Sequence, residues 1–127
     1  MRLERLALLG RTDQPVDQVI QDGDGIQLGK IAAQIVHTPG HTPGSLGLLV
    51  PGGDLDRLFA GDTLFCGSVG RTDLPGGSLH QLIASLEEKI MPLPDDTRVW
   101  PGHDYGESPT STLGQEKTTN PYLTDFF

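Results

Sequence analysis

Three short turns in the chain each close on a side chain able to ligate a metal, and each follows an apolar, strand-like run. They are His37-Thr38-Pro39-Gly40-His41-Thr42-Pro43-Gly44-Ser45 after residues 31–36, Ala60-Gly61-Asp62-Thr63 after Leu58 and Phe59, and Pro101-Gly102-His103-Asp104 after Val99 and Trp100. Strands aim imidazoles and a carboxylate at a common point, while Gly and Pro stiffen the turns so that little freedom is lost on binding. His41, Asp62 and His103 could together hold a transition metal. Residues 1–36 contain no His, so the ligand set is small.

The elements that must position these groups follow from periodicity. Leu3, Leu6, Ala7 and Leu9 sit at helical spacing before Gly10, which predicts a short helix over 2–9; residues 11–24 are polar and read as a loop. Runs 25–28 and 31–36, joined by Gly29-Lys30, read as a hairpin, and 45–50 with 57–60, joined through Pro51-Gly52-Gly53, as a second strand pair. A helix is expected over 79–90. Ser78 and Gln81 form a capping box, Leu79, Leu82, Ile83, Leu86 and Ile90 make one apolar stripe, and Pro92 blocks continuation. A strand follows at 98–100, and a last helix begins at Ser111 or Thr112 and ends at Asn120-Pro121.

Composition bounds the protein class. A chain of 127 residues with 35% hydrophobic and 20% charged residues is ordinary for one globular domain over 1–127, and 17 Gly with 10 Pro suit short strands and tight turns. The formal net charge of −8 and the lack of a basic stripe argue against nucleic acid and anionic membranes as partners. A single Cys cannot form an internal disulfide, and no signal-like or membrane-length apolar run is seen, so a cytoplasmic location is expected.

The ordered blocks GHTPGS (40–45), AGDTLF (60–65), GRTDLPGG (70–77), LPDDT (93–97), PGHDYG (101–106) and STLGQEKTTNPYL (111–123) resemble the C-terminal half of a metallo-β-lactamase-fold hydrolase. The subgroup they resemble most is that of glyoxalase II (hydroxyacylglutathione hydrolase) and the persulfide dioxygenases. The resemblance covers residues 26–123, preceded by a helix and loop over 1–25. It implies an α/β (α+β) fold, one αβ layer of the family's αββα sandwich. Such proteins normally start with another layer whose HxHxDH loop supplies most ligands of the first metal. That loop has no counterpart in this sequence, and Met1–Leu9 resembles a mid-protein helix of the family.

By the same resemblance His41, Asp62 and His103 are the metal ligands, Asp62 also serves catalysis, and Tyr105 lines the mouth of the site and reaches substrate. The bland alternatives are a turn-capping Asp62, a surface His103, and a Tyr105 packed on the Pro-rich segment. His37 is no ligand in the family pattern and is assigned a structural or supporting role; His80 has no ligand-like context. Arg71 could hold a carboxylate and Asp73 could fix a His tautomer, or the two could simply close a turn as an ion pair. Cys66 reads as a small buried side chain. Persulfide dioxygenases tend to carry Cys where this chain has Val69, and glyoxalase II inserts a glutathione-binding domain where only residues 105–110 stand.

Three function classes follow. The first is a metal-dependent hydrolase of thioesters or small esters, using zinc or iron with at most one weakly held ion in this chain. The second is a non-catalytic metal- or partner-binding half-protein, and the third is redox chemistry at a mononuclear iron, for which two His and one Asp make a facial triad. An isolated layer would also leave its inner sheet face open, because sandwich sheets pack apolar face to apolar face. Self-association into a homo-oligomer, or pairing with an N-terminal half, is therefore expected.

Overall fold

The computed structural model describes residues 18–127. The helix expected over 2–9 and the first part of the 11–24 loop lie outside the described residues. Within them the chain builds β1 (Gly25–Leu28), β2 (Ile31–His37), β3 (Leu46–Val50), β4 (Arg57–Gly61), β5 (Leu64–Phe65) and β6 (Ser68–Val69). Then come α1 (Leu79–Ser85), running on through a π-helical turn (Leu86–Ile90), β7 (Arg98–Pro101), β8 (Ser111–Thr112), α2 (Leu113–Thr119) and α3 (Pro121–Thr124). The main sheet has the order β1-β2-β3-β4-β7-β8, and β5 pairs with β6 as a separate small hairpin. All neighbours are antiparallel except β4 and β7, which the α1 crossover makes parallel.

Register separates the two faces of the sheet, because directly paired residues project to the same side. Leu49, Leu58 and Val99 are aligned across β3, β4 and β7 and face the helices. There Leu58, Leu82, Leu86, Val99 and Leu113 are fully excluded from solvent. The opposite face carries the aligned row Ile35, Leu48, Phe59 and Trp100. Phe59 and Trp100 stack with centroids 6.2 Å apart, yet 41% and 43% of their surfaces stay open. The expected open inner face is present at these two residues, whereas Ala33 and Ile35 on the same face are buried.

Two expected features changed in detail. The Ser78 side chain caps α1 by accepting from the Gln81 amide at 3.2 Å, but the Ser78 N–H donates to the Gly40 carbonyl, so the cap ties α1 to the His37–His41 turn. Leu79 is 45% exposed and falls off the apolar stripe. The last helix starts at the Thr112 cap as expected, and beyond Asn120 the chain adds α3, with Pro121 at its first position and Asn120 accepting from the Tyr122 amide.

Candidate metal centre

His41 follows β2, Asp62 follows β4 and His103 follows β7, strands that run the same way, so all three residues come to the same end of the sheet. Close backbone packing sets their approach. A side chain at Gly40 would collide with the Leu82 backbone, and a Cβ at Gly102 would lie 2.5 Å from Asp62 Oδ1. The Gly102 amide donates to the Gly61 carbonyl at 2.7 Å, locking the third turn onto the second. Buried Thr38 and Thr63 join the first turn to the second through a 2.8 Å hydroxyl hydrogen bond.

Partners fix the imidazoles. His41 Nδ1 lies 2.8 Å from the Arg71 carbonyl, which can only accept, so Nδ1 carries the proton and Nε2 keeps its lone pair in the neutral ring. His103 Nδ1 likewise donates to Asp62 Oδ1 at 2.7 Å. His41 Nε2 stands 3.5 Å from Asp62 Oδ2. In the neutral tautomer these are two acceptors facing each other, an arrangement that a cation, or protonation of His41, would satisfy. The donor types therefore suit a transition ion, with His41, Asp62 and His103 as its holders. The set is short of ligands: no group of three or more His, Cys, Asp or Glu side chains among the described residues is arranged to hold a metal unaided.

The three residues line a cavity of about 380 Å³ with Phe65, Arg71 and Tyr105. Tyr105 stacks flat on His103, with ring centroids 4.8 Å apart and planes 2° from parallel, and Phe65 meets both rings edge-on. Tyr105 is 72% exposed at the rim of this cavity. A larger hollow of about 630 Å³ lies on the far side of Tyr105, bordered by Cys66, Thr110 and Glu116.

The remaining sequence candidates fall outside the His41–Asp62–His103 cluster. The Arg71 guanidinium grips both Asp73 carboxylate oxygens at 2.7 Å, and that bond holds the Asp73 pKa down at about 2. Asp73 is thus spent on a turn-closing pair, and the His41 tautomer is set by the Arg71 carbonyl instead. His37 Nε2 donates to the Pro43 carbonyl at 2.9 Å, bracing the loop that carries His41. His80 is exposed on α1. Burial pushes the Cys66 thiol pKa up, helped by the charges of Glu116 and Asp104, so Cys66 is a poor nucleophile.

Sequence reasoning missed one feature next to the site. Glu116, 2% exposed, accepts from the Gly67 amide at 2.8 Å, from Asn120 Nδ2 at 3.0 Å and from Ser111 Oγ at 2.7 Å. Asn120 also donates to the Ser68 carbonyl at 3.1 Å and, more weakly, to that of Phe65 at 3.4 Å. A Glu three residues before a helix end reads as surface charge, and nothing in its local sequence marks it as buried.

These features converge on one family. Residues 3–103 match the model of the metallo-beta-lactamase superfamily, and the chain belongs to that family. It is 41% identical to the human mitochondrial persulfide dioxygenase ETHE1 over 108 residues, 85% of this chain and 42% of that protein. Among solved structures it resembles a metallo-beta-lactamase from Staphylococcus aureus, with TM-score 0.79 and 39% identity over 89% of this chain and 36% of that one. A protein solved in a di-iron-bound form matches with TM-score 0.70 and 44% identity over 87% of this chain and 50% of that one. The chain spans about half the length of the curated relatives it matches. Proteins of this superfamily bind metal ions, and no described helix is long and apolar enough to cross a membrane.

Proposed function

We propose that the chain forms the C-terminal metal-holding half of a hydrolase acting on thioesters or small esters, with at most one weakly bound zinc or iron ion of its own. The observation that carries this reading is the convergence of His41 Nε2 and His103 on the single carboxylate of Asp62 at the mouth of a cavity. When bound there, a transition ion supplies a water of lowered pKa and polarises the substrate carbonyl. Asp62 orients His103 and with it and His41 would hold the ion, the Arg71 carbonyl holds the His41 tautomer, and Tyr105 offers its hydroxyl to substrate. Phe65 and Val69 give the cavity an apolar stretch of wall that suits an uncharged acyl group.

A second reading, an iron-dependent oxygenase, draws on the identity with persulfide dioxygenase ETHE1 and on the di-iron-bound neighbour. Buried Val69 weighs against it, since a thiol is the side chain expected there from that subgroup. For either chemistry, a second polypeptide or a second copy of this chain would complete the ligands and cover Phe59 and Trp100.

Light scattering on a sizing column, with metal content measured across each peak after zinc or ferrous loading, tests the proposal. The expected result is an oligomer holding no more than one ion per chain, lost on dialysis, with only trace thioester turnover. Two tightly held ions per chain would overturn the incomplete-site reading, and a protein that binds neither metal would leave the non-catalytic module.

A further inference from the structure

The residues after β7 include a buried polar cluster that no step of the proposed chemistry uses. Glu116 sits on α2, Ser111 on β8 and Asn120 at the α2–α3 junction. Their side chains close on the tip of the β5–β6 hairpin: Glu116 takes the Gly67 amide, and Asn120 reaches the Phe65 and Ser68 carbonyls. No Lys, Arg or His nitrogen among the described residues is in ion-pair distance of Glu116. Burying a carboxylate without a cation is costly, and three hydrogen bonds offset the cost only if all of its partners are donors.

An acceptor-only group is what this point requires, since an amide N–H, a hydroxyl and a carboxamide N–H converge there. Both arms of the clamped hairpin bear on the metal centre. The β5 arm presents Phe65 to the rings of His103 and Tyr105. The β6 arm runs into Gly70, packed on the Asp62 backbone, and Arg71, whose carbonyl holds His41 Nδ1. One small hairpin thus touches the partners of both imidazoles.

We propose that Ser111, Glu116 and Asn120 are positioning residues that hold the β5–β6 hairpin and thereby set the placement of His41 relative to His103. This rests on the metal-site reading for its consequence, but the placement itself can be measured without metal. Glu116→Gln removes the charge and turns the oxygen facing Ser111 into an N–H₂, so the Ser111 hydroxyl must reverse to accept and the clamp weakens with little change in volume; Ser111→Ala removes a single bond to Glu116 and is the milder variant. Ile90→Ala, a core truncation outside the clamp, is the control for lost stability.

The test uses the full chain, with imidazole ¹⁵N–¹H NMR in the metal-free state and cobalt(II) titration followed by its visible spectrum. The expected result is that Ser111→Ala and Glu116→Gln shift the His41 and His103 ring signals and weaken cobalt binding by about tenfold. Ile90→Ala should lower the unfolding midpoint while leaving the ring signals in place. Ring signals unchanged in folded Ser111→Ala and Glu116→Gln, or shifted equally by Ile90→Ala, would overturn the proposal. Failure of the unsubstituted chain to take cobalt would sink the metal reading alone, and the ring signals would still decide the clamp.

Discussion

Two carboxylates at opposite sides of the β5–β6 hairpin do different work with similar partners. Glu116 is 2% exposed and both of its oxygens accept from fixed donors of the same domain. The Asp62 side chain keeps 31% of its surface open, has one firm partner in His103, and faces a second imidazole at 3.5 Å. The satisfied group stabilises the fold and has nothing left to bind with. The half-satisfied group contributes little stability, and its spare valence is what suits it to an ion. Exposure and unmet hydrogen-bonding capacity separate a carboxylate spent on the fold from one still free to bind more clearly than residue type does.

The sharpest way to break that contrast is to remove each carboxylate in turn. Glu116→Ala removes three hydrogen bonds, leaves the Gly67 amide without its partner and opens a hole in the packing, and should cost about 2–4 kcal/mol. Asp62→Ala should cost about 1 kcal/mol or less, because its pairs are solvent-screened. Urea unfolding followed by the fluorescence of the sole tryptophan, Trp100, measures both. Equal losses would erase the distinction.

An effect between those two is expected from crowding Asp62 without removing it. In Gly102→Ala the new methyl would stand 2.5 Å from Asp62 Oδ1 and 2.9 Å from the Gly61 carbonyl oxygen. The carboxylate must rotate, at a cost of about 1–3 kcal/mol, and the His103 Nδ1–H loses its acceptor. A changed His103 ring signal with a modest drop in unfolding midpoint is the predicted pair of observations; an unchanged ring would mean that the turn yields instead of the ligand.

The smallest effect sharpens the comparison with a third carboxylate. Burial works against the ionised form of Asp22, but hydrogen bonds from Lys89 Nζ and the His37 amide outweigh it and hold the pKa below its ordinary 3.8. A depressed folded value means that the contribution is present above 3.8 and is lost as pH falls through the lowered value. The side chains of this pair are 40% and 38% exposed, so the contribution is small and salt-sensitive. Asp22→Asn should therefore be slightly less stable than the parent at neutral pH, with the gap closing in acid and in high salt. A gap that widens in acid would reverse the sign argued here.

Sequence alone located the strand-turn elements, the Ser78 and Thr112 caps and the three candidate ligands, because each depends on near neighbours: period-two alternation, Gly and Pro at turns, and a capping oxygen three residues from its amide. Hairpins 25–28/31–37 and 46–50/57–61 fall within a residue of expectation for the same reason. The Arg71–Asp73 pair was legible as one of two options, but which group holds the His41 tautomer was not, since that contact joins residues thirty positions apart. Only the tertiary structure decided that Asp62 is shared between two imidazoles, that Glu116 is buried rather than solvated, and that Phe59 and Trp100 remain open on a sheet whose other face is sealed. Each of these depends on which strands become neighbours, and strand order arises from long-range packing that local periodicity does not encode.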